Sequence, residues 1–232
     1  MNSDADNQIL MAARLLPKFG NIFIGVGTPL FVGLVAKQLS PAISAHVEAA
    51  AIGLNPDASF GTIGDVALVK RAENLVPISE FFNYWVKKVP YSCTVLRALE
   101  VDEQGTLNTC KTGSSSLGGL GGAIVGAQCS PEVVVLTSTM QRGLVKKVMH
   151  ATHPLGSLSQ GRSQIVHLVT ENAVFTRGVG DSTFQCTAIS AGDLAEEAVF
   201  QGWSISGMGP ALTFNADEYA ALEAAKRLFR QH

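Results

Sequence analysis

An open α/β fold, with a mainly parallel sheet flanked by helices, is what this 232-residue sequence predicts, and three observations predict it. Short apolar runs alternate with helical patterns along the chain, the arrangement that builds parallel strands through helical crossovers. A glycine turn, Gly25-Val26-Gly27-Thr28-Pro29, joins the first of those runs directly to a helix. Hydrophobic residues make up 47% of the chain and charged residues only 16%, the balance of a protein with a large buried core. No internal repeat and no long linker interrupts the pattern, so residues 1–232 are read as one domain.

The elements follow in order. Residues 1–19 carry Ile9, Leu10, Ala13 and Leu16 at helical spacing, with Pro17 as the stop. Residues 21–26 read as a strand, after which Thr28 is the expected N-cap and Pro29 the first helical position. That helix runs to about residue 39, and Ser40-Pro41 lead into a second strand with Glu48 at or near its end. Residues 55–65 are rich in turn formers and read as an exposed loop. Phe81, Phe82, Tyr84, Trp85 and Val86 form an apolar helical patch, residues 92–101 a buried strand, and residues 102–105 the turn after it. Residues 112–126 are a glycine- and serine-rich loop; residues 132–137 are a central strand, followed by a basic helix or turn over 141–149. Residues 165–170 and 173–176 pair as strands across Glu171-Asn172, and helices are expected over 193–200 and 216–228, the last capped by Asn215 or Asp217.

Composition excludes several function classes. A net charge of −2 gives no electrostatic footprint for nucleic acid or an anionic membrane. The longest apolar stretch, residues 22–36, is broken by glycines and a proline and is too short to span a bilayer. The acidic start of the chain does not look like a secretory signal. Cys93, Cys110, Cys129 and Cys186 form no Cys-x-x-Cys pair, which suggests free thiols in a reducing compartment and a cytoplasmic protein. The charged fraction lies below the usual quarter, so part of the surface is expected to be covered by another subunit.

The sharpest chemical signal is Glu48, a lone carboxylate among small apolar residues (Ala45-His46-Val47-Glu48-Ala49-Ala50-Ala51-Ile52-Gly53). Such a group must be solvated, paired or used. A parallel β-α-β unit places it on the same sheet edge as Gly25 and Gly27, where open α/β folds bind ligands. Local sequence leaves three roles open: a surface or capping glutamate, a general base, or a covalent nucleophile. Other signals are weaker. Gly25-x-Gly27 lacks the third glycine of a dinucleotide fingerprint, since Leu30 stands there, and the glycine-rich 112–126 segment lacks a P-loop ending. That segment suits a lid, a plain mobile loop, or a place where a ligand or partner backbone approaches closely. His150 and His153 lack the remaining ligands of a metal set, Cys93 and Cys186 sit in apolar surroundings, and no Gly-x-Ser-x-Gly elbow occurs.

Taken together, six segments resemble the β subunit of family I coenzyme A transferases, of the glutaconate CoA-transferase type, in order over about residues 20–180. Gly25-Val26-Gly27-Thr28-Pro29 resembles the family's Gly-x-Gly-x-Pro turn, and Glu48-Ala49-Ala50-Ala51-Ile52-Gly53 its Glu-Ser-Gly-x-Ile-Gly segment. Thr62-Ile63-Gly64-Asp65 resembles Ser-Ile-Gly-Asp, and Val101-Asp102 through Gly105 to Asn108 resembles Val-Asp-x-x-Gly-Asn-Leu-Asn. Arg142 to Val148 with His153-Pro154-Leu155-Gly156, and Val169-Thr170 to Phe175, complete the set. The resemblance implies a CoA-transferase-like fold, Glu48 as the nucleophile that forms a glutamyl-CoA thioester, and an α subunit as partner in a heterodimer or heterotetramer. It implies a coenzyme A thioester as substrate and no bound cofactor or metal. Gly25, Gly27, Ala49 and Ala50 are the candidates for the coenzyme edge and for oxyanion stabilisation. The chain departs from the family where Ala49-Ala50 replaces Ser-Gly, where Ser114 to Gly122 replaces a Gly-Gly-Gly-Asn-Asp loop, and where no His-Pro-Gly segment stands near residues 186–193. A CoA-thioester hydrolase, a decarboxylase, or a non-catalytic partner of an active α subunit is the alternative on the same scaffold.

Overall fold

The computed structural model describes residues 4–113, 115–116, 121–138, 143–156, 163–190 and 203–229. Helix α1 (Asp4–Leu15) opens the chain with Asp4 and Asp6 in its first turn and Arg14 in its last, complementing the helix dipole. Strand β1 (Gly20–Ile24), helix α2 (Thr28–Leu39) and strand β2 (Ile43–Val47) form the expected β-α-β unit, with β1 and β2 parallel from Gly20 opposite Ile43 to Ile24 opposite Val47. The cap differs from expectation: Gly27, not Thr28, is the N-cap, at φ 79° and ψ −132°, and no side chain caps the helix. Only glycine tolerates that backbone, so the turn is fixed by its conformation rather than by a hydroxyl hydrogen bond.

Short strands β3 (Ala51–Ile52) and β4 (Asn74–Leu75) follow, with α3 (Val66–Val69) between them. Helices α4 (Ile78–Glu80) and α5 (Val86–Lys88) flank a π turn, Phe81–Trp85, at the predicted apolar patch. The strand expected over 92–101 is two strands. Strand β5 (Tyr91–Arg97) stays in the main sheet, and β6 (Glu100–Asp102) leaves it for a second sheet with β7 (Thr106–Asn108). Strands β8 (Lys111–Thr112) and β9 (Ser115–Ser116) and helix α6 (Ala123–Cys129) take up part of the segment read as a loop. After β10 (Glu132–Leu136), residues 143–149 form β11 (Leu144–Val145) and bends rather than a helix, because β11 pairs with β6. Strand β12 (His153–Pro154), the antiparallel pair β13 (Ile165–Val169) and β14 (Ala173–Arg177), β15 (Gln185–Ser190), β16 (Ala211–Leu212) and helix α7 (Ala216–Leu228) complete the order. The helix expected over 193–200 lies outside the described residues. Asn215 caps α7 in a full capping box with Glu218.

The main sheet runs β16-β15-β14-β13-β10-β5-β1-β2-β3-β4, and its five central strands, β13 to β2, are parallel. Its α/β class is that of the sequence expectation. One face packs under α1, α2 and α7 through Leu10, Val35, Val95, Val134 and Leu222; the other packs Phe23, Phe81, Leu96, Val135 and Phe175. Helix α1 is tied to α7 by Arg14, whose Nη2 donates to Glu218 Oε2 at 2.7 Å and whose guanidinium lies over the Phe214 ring. Gln8 donates its amide to the carbonyls of Thr137 and Val169, closing the ends of β10 and β13 at 2.8 and 2.9 Å.

Two of the recognisable motifs are structural. Asp65 caps α3, accepting from Ala67 N–H at 2.9 Å. In the β6–β7 turn, Asp102 Oδ1 accepts from Thr106 N–H at 2.8 Å, while Arg177 donates to the carbonyls of Gln104 and Leu155 at 2.8 and 2.9 Å. A Cβ on Gly105 or Gly156 would stand 2.5 or 2.7 Å from Arg177 Nη2, so both positions need glycine for the guanidinium to reach.

His46 on β2 is 1% exposed, with Nδ1 2.9 Å from Tyr91 Oη and Nε2 3.0 Å from Ser44 Oγ. Burial, reinforced by the charge of Lys37, lowers its pKa to about 4. The folded value lies below the unfolded value near 6.5, so neutral His46 favours the fold above pH 6.5, and the advantage is lost as pH falls towards 4. The predicted loss is about 3 kcal/mol at full protonation. Urea unfolding from pH 7 to pH 4.5 should show this slope in the wild type and a shallower one in His46→Gln; equal slopes would contradict it.

Candidate active site

The sheet edge formed by the carboxyl ends of β1, β2 and β5 carries a cleft of about 450 Å³. Phe23, Gly25 and Val26 come from β1 and its turn, Glu48 from the end of β2, and Leu96, Arg97, Ala98 and Leu99 from the end of β5. Thr109, after β7, and Gly121, Gly122 and Ala123, at the start of α6, close the other side. Open α/β sheets bind their ligands at such an edge. Only Glu48 and Arg97 are charged among these lining residues.

Glu48 sits in a tight turn. Val47 of β2 pairs with Ala51 of β3, so Glu48, Ala49 and Ala50 are a three-residue hairpin loop closed by Ala50 N–H on the Val47 carbonyl at 3.0 Å. Such loops place their last residue in the left-handed region. Ala50 is there, at φ 62°, the one non-glycine residue with positive φ among the described residues. This is the position where the family motif has glycine. Ala50 adopts the backbone that glycine favours, at a strain of about 1–2 kcal/mol. Ala50→Gly removes that strain, but it loses a methyl that is 1% exposed and loosens the unfolded chain. The net change should lie within about 1 kcal/mol of zero. Ala50→Val puts a β-branched residue at positive φ in a packed core and should cost at least about 2 kcal/mol. Urea denaturation of the two variants checks the contrast.

The carboxylate of Glu48 is half-buried, and its Oε2 accepts a hydrogen bond from the Gly122 N–H at 2.8 Å. A Cβ on Gly122 would lie 2.5 Å from that oxygen and 3.2 Å from the Phe82 ring, and one on Gly121 would lie 3.7 Å away. The end of the glycine-rich segment is thus a close approach of backbone to the Glu48 carboxylate.

Of the other residues singled out from sequence, Gly25 lines the cleft, and its N–H is committed to the Val95 carbonyl at 2.9 Å, so it shapes the wall without donating into it. Gly27, Ala49 and Ala50 are not on the wall. Gly27 caps α2, Ala49 packs against the core under α1 and α2, and Ala50, with its N–H committed to Val47, packs into the core on the opposite face. Sequence reasoning did not single out Gly122 or Arg97, both of which line this cleft. Cys93 is fully buried and its thiol is pushed well above the ordinary range by burial; Cys186 is buried as well. Burial also lowers the pKa of His153, while His150 is exposed. Among the described residues no group of three or more His, Cys, Asp or Glu side chains could hold a metal ion, and no helix is long and apolar enough to cross a membrane.

The chain is 28% identical over 222 residues to the B-type subunit of the 3-oxoadipate CoA-transferase of Pseudomonas knackmussii, covering 88% of this chain and 85% of that one. It superposes on the glutaconate coenzyme A-transferase of Acidaminococcus fermentans with a TM-score of 0.82 at 16% identity, covering 98% and 95% of the two chains. In sequence this chain is similar to a B-type CoA-transferase subunit, and in fold to a CoA-transferase. It also superposes on the decarboxylase AibA/AibB with a TM-score of 0.80 at 20% identity, covering 96% and 94%. The CoA-transferase-like fold is therefore shared between relatives named for different reactions, and fold does not choose between them. No family-wide sequence model matches the chain.

Proposed function

We propose that this chain is the β subunit of a CoA-transferase, a single-domain partner of an α subunit, which moves CoA between an acyl-CoA and a carboxylic acid with Glu48 as nucleophile. The observation that carries this reading is the Glu48 carboxylate, presented in the strand-edge cleft with one oxygen held by Gly122 N–H. The other oxygen is the one left to attack. Its attack on the thioester carbonyl of an acyl-CoA forms an acyl-glutamyl anhydride and expels CoA thiolate. The thiolate then adds to the glutamyl carbonyl, giving glutamyl-CoA and releasing the first carboxylate. A second carboxylate repeats the two steps in reverse, restores Glu48 and leaves as the new acyl-CoA. Each tetrahedral step at the glutamyl carbon puts negative charge on the oxygen that faces Gly122 N–H, which suits that N–H to an oxyanion role. Covalent capture keeps the thioester energy away from water and gives ping-pong kinetics.

The likeness to one subunit of a 3-oxoadipate CoA-transferase and to two-subunit assemblies supports the partner and the coenzyme A thioester substrate. The likeness to AibA/AibB keeps hydrolase or decarboxylase chemistry as the second reading. Free-thiol release by the complex of this chain with its partner subunit separates them. Transfer predicts that acyl-CoA is consumed only when an acceptor acid is present, with no net thiol release. A hydrolase releases thiol without an acceptor, and a decarboxylase evolves carbon dioxide without one.

A further inference from the structure

Phe82 backs the hydrogen bond that joins Gly122 to Glu48. The tip of its ring, Cε1 and Cζ, is 3.2 Å from the point a Cβ on Gly122 would occupy, and Glu48 Oε2 is 2.5 Å from the same point. Ring and carboxylate thus flank one missing side chain, beside an N–H that donates to the carboxylate at 2.8 Å. The backbone explains how the ring comes to be there. Phe81–Trp85 is a π turn, in which Val86 N–H donates to the Phe81 carbonyl five residues back. In an α-helix, residues five apart point about 140° away from each other. The wider turn instead lets Phe81 and Val86 both bury in one core, with Phe82 packed on its flank. Such single π turns are frequent at functional sites. Phe81 meets the Phe82 ring edge-to-face at 5.2 Å and 87°, and its other neighbour is the Phe23 ring of the cleft wall at 6.1 Å. Val76 N–H donates to the Ala50 carbonyl at 3.2 Å, which ties the segment leading into the π turn to the hairpin loop of Glu48. One packed unit therefore carries the carboxylate and the ring that backs its donor.

We infer that Phe82 is a positioning residue for Glu48: its ring holds the Gly122 peptide against the carboxylate and keeps water off the hydrogen bond between them. Its part in catalysis rests on the proposed transfer reaction at Glu48. A hydrogen bond screened from water is electrostatically stronger than a hydrated one. Without the ring, water and the freely turning glycine backbone fill the space. The N–H then loses its direction and the attacking oxygen its aim, and a misplacement of about 1 Å at a reacting group costs up to about 100-fold in rate.

The test uses the complex of this chain with its partner subunit and two readouts. The first is amide hydrogen exchange at Gly122, read by mass spectrometry with residue-level fragmentation. Glu48→Ala, which removes the acceptor, gives the rate of the released N–H. Phe82→Ala should raise the Gly122 rate about tenfold or more, most of the way to that limit, with β5 and β10 exchanging as in the wild type. The second is steady-state kinetics with the acyl-CoA and acceptor acid that the wild type turns over. Phe82→Ala should lower kcat about 10- to 100-fold and leave KM for the acyl-CoA unchanged, because the ring stands behind the cleft wall and not on it. Phe82→Leu refills the space and should recover most of both losses. Should Phe82→Ala fail to assemble, Phe82→Leu decides, with shifts of about threefold in both readouts. Unchanged exchange at Gly122 overturns the inference. So does a kcat equal to that of the wild type, and a rise in KM alone would make the ring a substrate contact instead. If the wild type transfers no CoA, the transfer reading fails and exchange alone decides. Faster exchange in Phe82→Ala then upholds the hold of Phe82 on Gly122, and an unchanged rate overturns it.

Discussion

Glu48→Gln should abolish CoA transfer while leaving the fold and the assembly intact. The amide has the size of the carboxylate, and its oxygen can still accept from Gly122 N–H, so the β2–β3 turn and the cleft wall are preserved. What it lacks is a nucleophilic oxygen able to form an acyl anhydride. Loss of a covalent nucleophile costs several orders of magnitude, and a fall in kcat of at least about 1,000-fold is expected. Glu48→Asp retains the charge but draws the carboxylate back by one methylene from Gly122 and from the substrate. A displacement of that size costs about 100-fold. Steady-state kinetics of the complex, with circular dichroism to confirm folding, check both. A Glu48→Gln complex as active as wild type would assign the chemistry to the partner and make this chain a scaffold.

Gly122→Ala should come close to that effect without altering Glu48. Its methyl would need the space now held by Glu48 Oε2, 2.5 Å away, and it presses on Phe82 at 3.2 Å. The carboxylate is the free end of a flexible side chain and can swing aside, so stability changes little. Transfer through Glu48, as proposed, would not tolerate the shift, because the attacking oxygen would move and the N–H facing the developing charge would lose its target. Removal of one such donor costs about 10²–10³ in kcat, and the predicted fall is of that order. Gly121→Ala is the matched control. Its methyl would meet Glu48 at an ordinary 3.7 Å, but its φ of 57° strains any side chain. It should lower stability by about 1 kcal/mol and activity far less than Gly122→Ala does. Equal losses of activity in the two variants would mean that the glycines act through the loop's backbone and not through the carboxylate.

The parts of this architecture that are legible in the sequence are those set by neighbouring residues. An apolar run into Gly25 and Gly27, with Pro29 just inside the next helix, is enough to place a parallel β-α-β unit and to put Glu48 at its edge. Asn215 with Glu218 three positions on is a capping box that reads directly as a helix start. The site itself is only half legible. The hydrogen bond from Gly122 to Glu48 spans 74 residues, and nothing local in either segment announces the other. The sequence offers only a glycine-rich stretch with no P-loop ending, compatible with a lid, a plain loop or a close approach. Ala49 and Ala50 share the turn of Glu48, yet they fall outside the cleft that Glu48 lines. In a three-residue hairpin loop their side chains go to the cores on either face of the sheet. Arg97 escapes notice for a different reason. Residues 92–101 look like one buried strand, but the chain leaves the main sheet after Arg97. The reasoning that singles out Glu48, a charge in an apolar stretch that must be solvated, paired or used, applies equally to Arg97.

The most direct test of the central claim is intact mass spectrometry of this chain, purified with its partner subunit and mixed with a panel of acyl-CoAs. Glu48→Ala in the same complex is the control. Transfer through Glu48 predicts a wild-type adduct of CoA less one water, discharged by a carboxylic acid acceptor and missing from Glu48→Ala. Acyl-CoA converted at the wild-type rate with no adduct, and equally by Glu48→Ala, would contradict it.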